Sequence, residues 1–357
     1  MRLRVIDFGF VSALRSQAVY HGLAETTTED SDPVLSLVSP MEPYVCVGLH
    51  QDIAHEVNTD YCAAQGLPIY RRHVGGGAVY LDRNQLFTHF IYPHRKAPQF
   101  AANLYPLFIE PVVRTYREMG INAVYRPIND IQVDGRKIGG TGAASIGEAT
   151  VMVGSFMIDF DTASMAHCLK VPSEKFRDKL RQTLDDYMTT IVKLTGQEPD
   201  RTDLKARFLV HCAEVLGVTP EISAPTEAEL DAIAEAERAL SDPDWTDVQK
   251  RKLVALGVKI SADTHLTEAA VKAPGGMIRV NLLARDGAVA DLVISGDFTC
   301  LPPGGVDGLA AALRGTALNA GALAQAADAA IDGLGIEMPG VGAEDLAAAI
   351  MAAVSDA

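Results

Sequence analysis

The segment Arg71-Arg72-His73-Val74-Gly75-Gly76-Gly77-Ala78-Val79-Tyr80-Leu81-Asp82 begins with two arginines that end a predicted strand. Its three glycines then open a loop before another predicted strand. Each glycine costs about 0.5–1 kcal/mol of folding free energy relative to alanine, so three in succession indicate a backbone conformation that requires the absence of Cβ. Successive N–H groups of such a loop can converge on an anion such as a phosphate. The two arginines can hold a phosphate or a carboxylate by forked hydrogen bonds. A glycine triplet alone is typical of an ordinary hairpin loop, but the adjoining arginine pair favours an anion site.

A second segment reads Asn129-Asp130-Ile131-Gln132-Val133-Asp134-Gly135-Arg136-Lys137-Ile138-Gly139-Gly140. The dipeptide Asp134-Gly135 is a turn signal, so the segment predicts a hairpin with Lys137 on the returning strand. A lysine on a rigid strand can neutralise charge that builds on a phosphorus during group transfer. Asn129 and Asp130 offer oxygen atoms that could position a ribose or a magnesium ion. Taken separately, such an Asn-Asp pair is typical of a turn, and such a lysine is typical of a protein surface.

The length and composition indicate a folded globular protein. The chain has 357 residues, enough for one large domain and a smaller one, with 48% hydrophobic and 22% charged residues. No apolar run approaches the roughly 18 residues that a membrane-spanning helix needs. Asp7 interrupts the N-terminal region where the apolar core of a signal peptide would continue. We therefore expect a cytoplasmic protein that does not associate with membranes.

The net charge of −15 disfavours nucleic acid as a partner, because binding to phosphates requires a basic surface. Basic residues are nevertheless concentrated between residues 71 and 137, which suits an anionic small ligand held in the N-terminal half. They include Arg71, Arg72, Arg95, Lys96, Arg114, Arg117, Arg126, Arg136 and Lys137. The five cysteines form no CxxC pair, which argues against a disulfide framework and a zinc site and predicts buried thiols.

Residues 1–160 alternate β-rich runs with two helical stretches, which predicts a mixed-sheet α+β domain. The predicted strands are Pro33–Val38, Tyr44–Val47, Pro68–Tyr70, Leu86–Tyr92, Asp130–Val133 and Val151–Asp159, and the predicted helices are Ser12–Ala24 and Ala101–Met119. Beyond residue 172 the pattern becomes helical, with predicted helices at Ser173–Leu194, Thr202–Leu216 and Thr226–Leu240.

A second α+β unit is predicted at the C-terminal end. Two predicted strands, Gly275–Leu282 and Val289–Ser295, flank the turn signal Arg285-Asp286-Gly287. Three predicted helices follow, at Val306–Leu313, Ala317–Gly333 and Ala343–Val354. We therefore predict a larger domain over residues 1–255 and a smaller one over residues 256–357.

The two quoted segments resemble the signature of the lipoate–protein ligases, within the biotin/lipoate protein ligase family. The resemblance rests on the Arg-Arg-x-x-Gly-Gly-Gly run and on the Asn-Asp-Ile…Gly-Arg-Lys-Ile-x-Gly run. Pro43–Asn58 and Asn84–Thr88 also look like family segments, and Gly275–Asp297 resembles the family's accessory domain, which is a separate chain in some members. The resemblance implies a biotin/lipoyl ligase-like catalytic domain with mixed sheet, followed by a fused α+β accessory domain.

The resemblance also implies an activity and roles for residues. A ligase of this kind uses ATP and Mg²⁺ to convert lipoate or octanoate to acyl-AMP, then transfers the acyl group to a lysine of a lipoyl acceptor domain or a lipoate-binding carrier protein. Lys137 would be catalytic, contacting the lipoyl carboxylate and the α-phosphate, and Asn129 and Asp130 would lie near the nucleotide, with Asp130 as a metal ligand. The ATP-binding residues would further include Arg71, Arg72, Gly75, Gly76, Gly77, Ala78, Val79 and Tyr80.

One departure and three alternatives accompany this prediction. Many family members carry His-Gly-Thr or His-Gly-Ser where this chain has Val153-Gly154-Ser155, which leaves the contribution of that histidine open. An octanoyltransferase of the same fold would form a thioester on a cysteine, but the stretch Ala123–Ile128 before the hairpin has none. A biotin ligase would have arginines interleaved with its glycines. A non-catalytic lipoate-binding relative would keep the pocket and lose turnover.

Overall fold

The computed structural model describes residues 1–257 and 265–355, and these form two compact units. The first unit comprises Met1–Cys46, Val57–Tyr70 and Val79–Asp242. The second comprises Val47–Glu56, Arg71–Ala78 and Pro243–Ala357. Two short segments from the N-terminal half therefore belong to the same unit as the C-terminal region. The predicted domain boundary between residues 255 and 256 stays a prediction.

The strands form three sheets. They are β1 (Arg2–Val11), β2 (Val34–Pro40), β3 (Tyr44–Val47), β4 (Ile69–Arg71), β5 (Val79–Leu81), β6 (Gln85–Pro93), β7 (Val124–Arg126), β8 (Asp130–Val133), β9 (Arg136–Ile146), β10 (Ala149–Met157), β11 (Thr219–Ile222), β12 (His265–Ala273), β13 (Gly276–Arg285) and β14 (Ala288–Gly296). The orders are β11-β1-β2-β6-β10-β9-β8-β7, β4-β3-β5 and β12-β13-β14. In the large sheet β1 pairs in parallel with β2 and β11, whereas β6 pairs antiparallel with β2 and β10. The predicted mixed sheet is confirmed.

Seven of the eight predicted helices are confirmed, and the structure has further helices that were not predicted. The helices are α1 (Ala13–Glu25), α2 (Ile53–Glu56), α3 (Thr59–Gln65), α4 (Ala101–Glu118), α5 (Thr162–Cys168), α6 (Glu174–Tyr187), α7 (Ile191–Thr195), α8 (Arg201–Leu216), α9 (Glu227–Leu240), α10 (Pro243–Thr246), α11 (Val248–Gly257), α12 (Gly305–Ala312), α13 (Ala320–Leu334) and α14 (Ala343–Ser355). The further helices are α2, α3, α5, α10 and α11. The predicted start of α9 is confirmed, because Thr226 and Glu229 form a capping box.

The core of the first unit lies between the large sheet and the helices α4 and α8. Phe90 of β6 packs on Phe108 of α4 and on Phe208 of α8, and Phe156 of β10 packs on Phe208, with ring-centroid distances of 4.9 to 6.0 Å. All four rings are buried. Burying each such side chain stabilises the fold by about 1.5–3 kcal/mol, so this aromatic cluster fixes α4 against the sheet.

The single helix predicted over Ser173–Leu194 is wrong, because the structure has two helices there. The helix α6 ends at Tyr187, and Met188 then forms a parallel bridge with Lys137 of β9 before α7 begins. The periodic pattern continues through this break, so the pairing of Met188 with a distant strand overrides it. The strands β1, β7, β11 and β12 were also not predicted.

The second unit contains an antiparallel sheet of three strands where two were predicted. The predicted hairpin between β13 and β14 is confirmed, and Asp286 and Gly287 have φ angles of 52° and 72°. These positive values are those of the two-residue turn that Asp-Gly favours. Leu309, Leu323 and Leu346 of the three C-terminal helices pack with the sheet in one core. Within residues 1–257 and 265–355, no helix combines the length and the apolarity that crossing a membrane would require.

Candidate active site

The hairpin predicted within Asn129–Gly140 is formed by β8 and β9, and its turn is Asp134-Gly135 as predicted, with φ angles of 50° and 79°. The pairing contains an irregularity. Ile131 pairs with Gly139 and Gln132 pairs with Lys137, so Ile138 is an extra residue in β9. Such a bulge changes which side chains share a face of the strand. It places Lys137 on the same face as Asp130 and Gly140, whereas regular alternation would place Lys137 and Gly140 on opposite faces.

The side chain of Lys137 extends over Gly140. A Cβ atom at Gly140 would lie 3.1 Å from the Nζ atom of Lys137 and 3.2 Å from its Cε atom. Those distances are shorter than ordinary van der Waals contacts, so a larger residue at position 140 would displace the ammonium group. Gly140 is therefore required because the side chain of Lys137 occupies the space that a Cβ atom would take, and not because the backbone forms a turn there.

The ammonium group of Lys137 forms an ion pair with Asp130, with 2.7 Å between Nζ and Oδ1. The other carboxylate oxygen, Oδ2, accepts a hydrogen bond of 3.0 Å from the hydroxyl of Tyr187 at the end of α6. Burial, and then the negative charge of Asp130, raise the pKa of Tyr187, so its hydroxyl remains a donor. The side chains of Lys137 and Asp130 are 28% and 20% exposed, so the ion pair is partly open to solvent.

Asn129 is bound to the neighbouring strand through both its side chain and its main chain. Its Nδ2 atom donates to the carbonyl of Thr141 (2.9 Å), and its own carbonyl accepts from the N–H and the hydroxyl of Thr141, both at 2.9 Å. These three hydrogen bonds fix the start of β8 against β9. Asn129 thereby holds Asp130 in place, and its predicted contact with the nucleotide stays a prediction.

The end of α6 is attached to the base of the hairpin. The guanidinium group of Arg136 donates to the carbonyls of Asp185, Asp186 and Met188, at 2.8 to 3.1 Å. A cation at a helix C-terminus complements the helix dipole and satisfies carbonyls that lack partners inside the helix. The N–H of Thr189 also donates to the carbonyl of Lys137 (2.8 Å). These bonds bring Tyr187 to Asp130. Sequence reasoning missed Tyr187, because nothing in its spacing separates it from other helical residues.

The geometry around Asp130 bears on its predicted role as a metal ligand. Among residues 1–257 and 265–355, no group of three or more His, Cys, Asp or Glu side chains is arranged to hold a metal ion. Magnesium in nucleotide sites usually takes one or two carboxylates and completes its shell with phosphates and water. Both oxygens of Asp130 already accept bonds, from Lys137 and Tyr187. The arrangement of these residues therefore suits Asp130 better as the counter-ion of Lys137 than as a ligand of a resident metal ion.

The first arginine of the glycine loop is buried, with 1% of its surface exposed. The guanidinium group of Arg71 donates to the carbonyls of Gly48, Leu49, Gln51 and Thr246, at 2.7 to 3.1 Å. These bonds connect three segments of the second unit. Arg71 thus holds these segments together by hydrogen bonds. Its predicted role in ATP binding stays a prediction.

The second arginine closes the loop itself. The guanidinium group of Arg72 donates to the carbonyl of Gly75, at 3.2 Å from Nε and 2.7 Å from Nη2, and to the carbonyl of Gly77 at 2.9 Å. Gly76, between these two acceptors, has a φ angle of 93° that residues with a Cβ atom rarely adopt. Arg72 and the glycines were predicted to act together, and in the second unit they form one loop that is closed by hydrogen bonds.

The glycine loop also packs closely against residues 297–299. A Cβ atom at Gly75 would lie 2.5 Å from the carbonyl oxygen of Phe298, and the N–H of Gly76 donates to the same oxygen (3.3 Å). One N–H group of the loop is thus committed to the protein. A Cβ atom at Gly77 would meet Asp297 at 3.9 Å, an ordinary contact, and Ala78 is buried. The contact with Phe298 was not predicted, because it joins residues far apart in the sequence.

Val79 and Tyr80 lie on β5, which pairs antiparallel with β3 in the first unit. The N–H of Tyr80 donates to the sulfur of Met165 on α5 (3.1 Å). Burial raises the pKa of Tyr80 to about 12, so its phenol stays protonated at neutral pH. These contacts fix the strand that follows the glycine loop, and the predicted ligand contacts of Val79 and Tyr80 stay predictions.

The structure brings the predicted residues together as two groups. Asn129, Asp130 and Lys137 form one group with Tyr187 in the first unit, and Arg71, Arg72 and Gly75–Ala78 form the other in the second unit. At the Val153-Gly154-Ser155 position, a Cβ atom on Gly154 would lie 3.1 Å from the Cγ2 atom of Thr141 and 3.4 Å from the Oγ1 atom of Thr88. All five cysteines lie within the described residues, where each is buried, as predicted, and none forms a disulfide bond.

The sequence of this chain is similar to a family model and to several known proteins. Residues 12–213 match the family model described as the lipoyl protein ligase A/B catalytic domain. The lipoate-protein ligase LplJ of Bacillus subtilis is 26% identical over 260 residues, which make up 72% of this chain and 74% of LplJ. The octanoyltransferase LipM of Kyrpidia tusciae is 25% identical over 214 residues, which make up 53% of this chain and 77% of LipM.

Solved structures of similar fold include two lipoate protein ligases. A bi-partite lipoate protein ligase of Thermoplasma acidophilum, described with its E2 lipoyl domain, has a TM-score of 0.64 at 22% identity and matches 69% of this chain and 96% of its own. A lipoate-protein ligase A bound with ATP has a TM-score of 0.59 at 20% identity, covering 69% of this chain and 99% of its own. These similarities show the predicted biotin/lipoyl ligase-like fold.

Proposed function

This chain belongs to the lipoyl protein ligase A/B catalytic-domain family, and on that basis we propose that it is an ATP-dependent lipoate–protein ligase. It would convert lipoate or octanoate to acyl-AMP and transfer the acyl group to a lysine of a lipoyl acceptor domain or a lipoate-binding carrier protein. The observation that carries the proposal is the partly exposed ammonium group of Lys137, held on a rigid hairpin by Asp130.

In the first proposed step, a carboxylate oxygen of the acid attacks the α-phosphorus of ATP. A phosphorus–oxygen bond forms, the bond from the α-phosphorus to the bridging oxygen breaks, and pyrophosphate leaves. Negative charge increases on the α-phosphate oxygens in the transition state, and a fixed cation stabilises it more strongly than mobile water does. Lys137 supplies that cation, and the bulge at Ile138 together with the space above Gly140 fixes its position.

In the second proposed step, the ε-amine of the acceptor lysine attacks the carbonyl carbon of the acyl-adenylate. An amide bond forms, the carbon–oxygen bond to AMP breaks, and the amine loses a proton to solvent or to AMP. A carboxylate itself does not react with an amine at neutral pH, so the cleavage of ATP supplies the activation. Magnesium enters with ATP as part of the substrate.

Arg72 and the glycine loop are proposed to bind the phosphates of ATP. The support is the loop that Arg72 closes, with its guanidinium group 2.7 Å from the carbonyl of Gly75 and 2.9 Å from that of Gly77. The guanidinium group carries a fixed positive charge beside glycines whose backbone a phosphate can approach closely. The similar ligase of known structure that binds ATP supports the choice of nucleotide.

The octanoyltransferase alternative is favoured by one observation, the similarity to LipM. A transferase of that kind needs a nucleophilic thiolate, and thiolates form at exposed cysteines beside a cation or a helix N-terminus. Every cysteine here is buried, and burial raises the pKa of Cys168 and Cys300 to about 12. These thiols are poorly suited to form an acyl-thioester, which supports the ligase.

The test measures adenylate formation and acyl transfer separately. The purified full-length protein is incubated with magnesium, ATP and either lipoate or octanoate, and pyrophosphate release is followed without an acceptor. A lipoyl domain is then added, and its mass is measured. We expect pyrophosphate first and acylated lysine second. Acylation from an octanoyl thioester without ATP would support the transferase, and binding of both substrates without pyrophosphate would support a non-catalytic relative.

A further inference from the structure

Tyr116, on α4, is wholly buried and uses its hydroxyl group twice. The hydroxyl donates a hydrogen bond to the carbonyl oxygen of Ile138 (3.1 Å) and accepts one from the backbone N–H of Met157 (3.0 Å). Ile138 is the extra residue in β9 directly after Lys137. The side chain of Tyr116 thus links two strands. It connects the bulge in β9, which orients Lys137, with the end of β10.

Tyr116 forms these two hydrogen bonds at the point where the strands β9 and β10 separate. The ladder between β9 and β10 runs from the pair Ile146–Ala149 to the pair Thr141–Gly154. Ile138 and Met157 lie past the last pair, where β9 has turned away toward β8 while β10 continues alongside β6. A buried carbonyl or N–H that is left unpaired there destabilises the fold. The hydroxyl of Tyr116 satisfies one of each.

We propose that Tyr116 is a positioning residue for Lys137, acting through the carbonyl of Ile138, and that it keeps the bulge in the register that directs the ammonium group to the reacting phosphate. The inference rests on the proposed ligase function. Tyr116 touches no substrate in this scheme. It acts because the peptide group that it holds is the one that follows Lys137.

The surroundings of Tyr116 make it a rigid support. Its ring packs edge-to-face on Phe156, with 5.2 Å between ring centroids, and Phe156 packs on Phe208 in the aromatic core. Burial raises the pKa of Tyr116, so the hydroxyl keeps the proton that it donates. Because α4 is fixed to the sheet by this cluster, any movement of the bulge away from the hydroxyl would break a buried hydrogen bond.

Removing the hydroxyl alone tests the inference. Tyr116→Phe keeps the ring and its packing, so the fold should persist, but the carbonyl of Ile138 loses its donor. A misplacement of about 1 Å at a reacting centre can reduce a rate about 100-fold. For a smaller displacement we expect kcat of adenylate formation to fall roughly tenfold, with KM for ATP and for the acid changed less than about twofold.

Tyr92→Phe is the matched control. Tyr92 is a buried tyrosine of β6 in the same unit, and its hydroxyl lacks a hydrogen-bond partner among the described residues. Its removal should leave kcat unchanged and stability unchanged or slightly higher. Hydrogen exchange in the full chain adds a readout independent of activity. Tyr116→Phe should speed exchange in the segment that contains the amide of Met157, and Tyr92→Phe should not.

The possible outcomes separate the two proposals. If the wild-type protein releases no pyrophosphate with either acid, the proposed function is overturned and this inference falls with it. If the wild-type protein is active and Tyr116→Phe matches it in kcat, the positioning role is overturned even if stability drops. Should Tyr116→Phe fail to fold, Ile138→Val trims one methyl group from the bulge. It is then expected to lower kcat in the same direction by a smaller factor, and an unchanged kcat would count against the inference.

Discussion

The Nζ atom of Lys137 lies 2.7 Å from the Oδ1 atom of Asp130, on the same face of one hairpin. Both side chains are partly exposed, and ion pairs of that kind contribute about 0–1 kcal/mol to stability. The pair therefore adds little to the fold. Its consequence is geometric, because it holds the ammonium group at a fixed place from which a more highly charged phosphate can attract it.

Lys137→Ala is expected to reduce adenylate formation about 100- to 1000-fold, which corresponds to roughly 2.7–4 kcal/mol of transition-state stabilisation. The reason is the loss of the cation that stabilises the charge on the α-phosphate. The measurement is pyrophosphate release at saturating ATP and acid. Lys193→Ala removes an exposed lysine of α7 and should leave the rate unchanged. A Lys137→Ala protein that retains most of its rate would exclude this lysine from the mechanism.

Asp130→Asn separates the counter-ion role from the metal-ligand role. Because both carboxylate oxygens accept bonds from Lys137 and Tyr187, we expect the variant to lose roughly tenfold in adenylation rate through poorer placement of the ammonium group. The magnesium concentration that gives half the maximal rate should stay unchanged. Asp186→Asn, at an exposed position of the same site region, serves as the control. A clearly raised magnesium requirement in Asp130→Asn would instead support the predicted role of Asp130 as a metal ligand.

The hairpin shows what the sequence can and cannot predict. The turn at Asp134-Gly135 and the strand bounds of β8 were predicted correctly, because positive φ angles and alternating apolar residues are local properties. The bulge at Ile138 was not predicted. A bulge depends on how two strands pair and on what supports the unpaired peptide group, here the hydroxyl of Tyr116 from a distant helix.

The glycine loop gives the same contrast. Its glycines and arginines were identified from composition alone, since three glycines beside two arginines are unusual in an ordinary loop. The targets of Arg71 could not be predicted, because Gly48 and Thr246 are brought to it by tertiary packing. The break between α6 and α7 was missed for the same reason. Met188 pairs with Lys137 across about 50 residues of sequence, which periodicity does not reveal.

Arg72→Ala should weaken ATP binding about tenfold or more, because it removes a charge and opens the loop that the guanidinium group closes between Gly75 and Gly77. Arg72→Lys should recover only part of the affinity, since an ammonium group does not reproduce the forked geometry. Titration calorimetry with ATP measures both. Arg251→Ala, which removes an arginine paired with Asp244 at an exposed site, should bind ATP normally. Unchanged affinity in Arg72→Ala would contradict the assignment.

Gly75→Ala tests whether the close packing of the loop is required. The added Cβ atom would lie 2.5 Å from the carbonyl oxygen of Phe298, so either the loop or residues 298–299 must move. We expect a loss of ATP affinity of at least tenfold, together with destabilisation of roughly 1–3 kcal/mol. Gly333→Ala, within α13, is the control, because no atom of the described residues outside the backbone of that helix lies within 4 Å of the place that its Cβ atom would take. That variant should be as stable as the wild type or more so, with normal ATP binding.

His89, a buried histidine of the large sheet, predicts a loss of stability in acid. His89 on β6 is buried against Ser36, whose Oγ atom lies 2.9 Å from Nδ1, and burial lowers the pKa of His89 from 6.5 to about 3. Between these two values the unfolded chain binds a proton that the folded protein does not. The stability that neutral His89 provides is therefore complete above pH 6.5 and declines as pH falls toward 3, by about 1.4 kcal/mol per pH unit within that window.

His89→Gln cannot titrate in this range, so its free energy of unfolding should depend less steeply on pH than that of the wild type. Urea unfolding at pH 7 and pH 5 measures the difference for both proteins. His50, whose pKa burial lowers to about 4, remains in the variant and should keep part of the slope. Replacing both histidines should flatten the curve further. If the single variant and the wild type lose the same free energy between pH 7 and pH 5, the neutral buried state of His89 does not control acid stability, because a depressed pKa must appear as that difference.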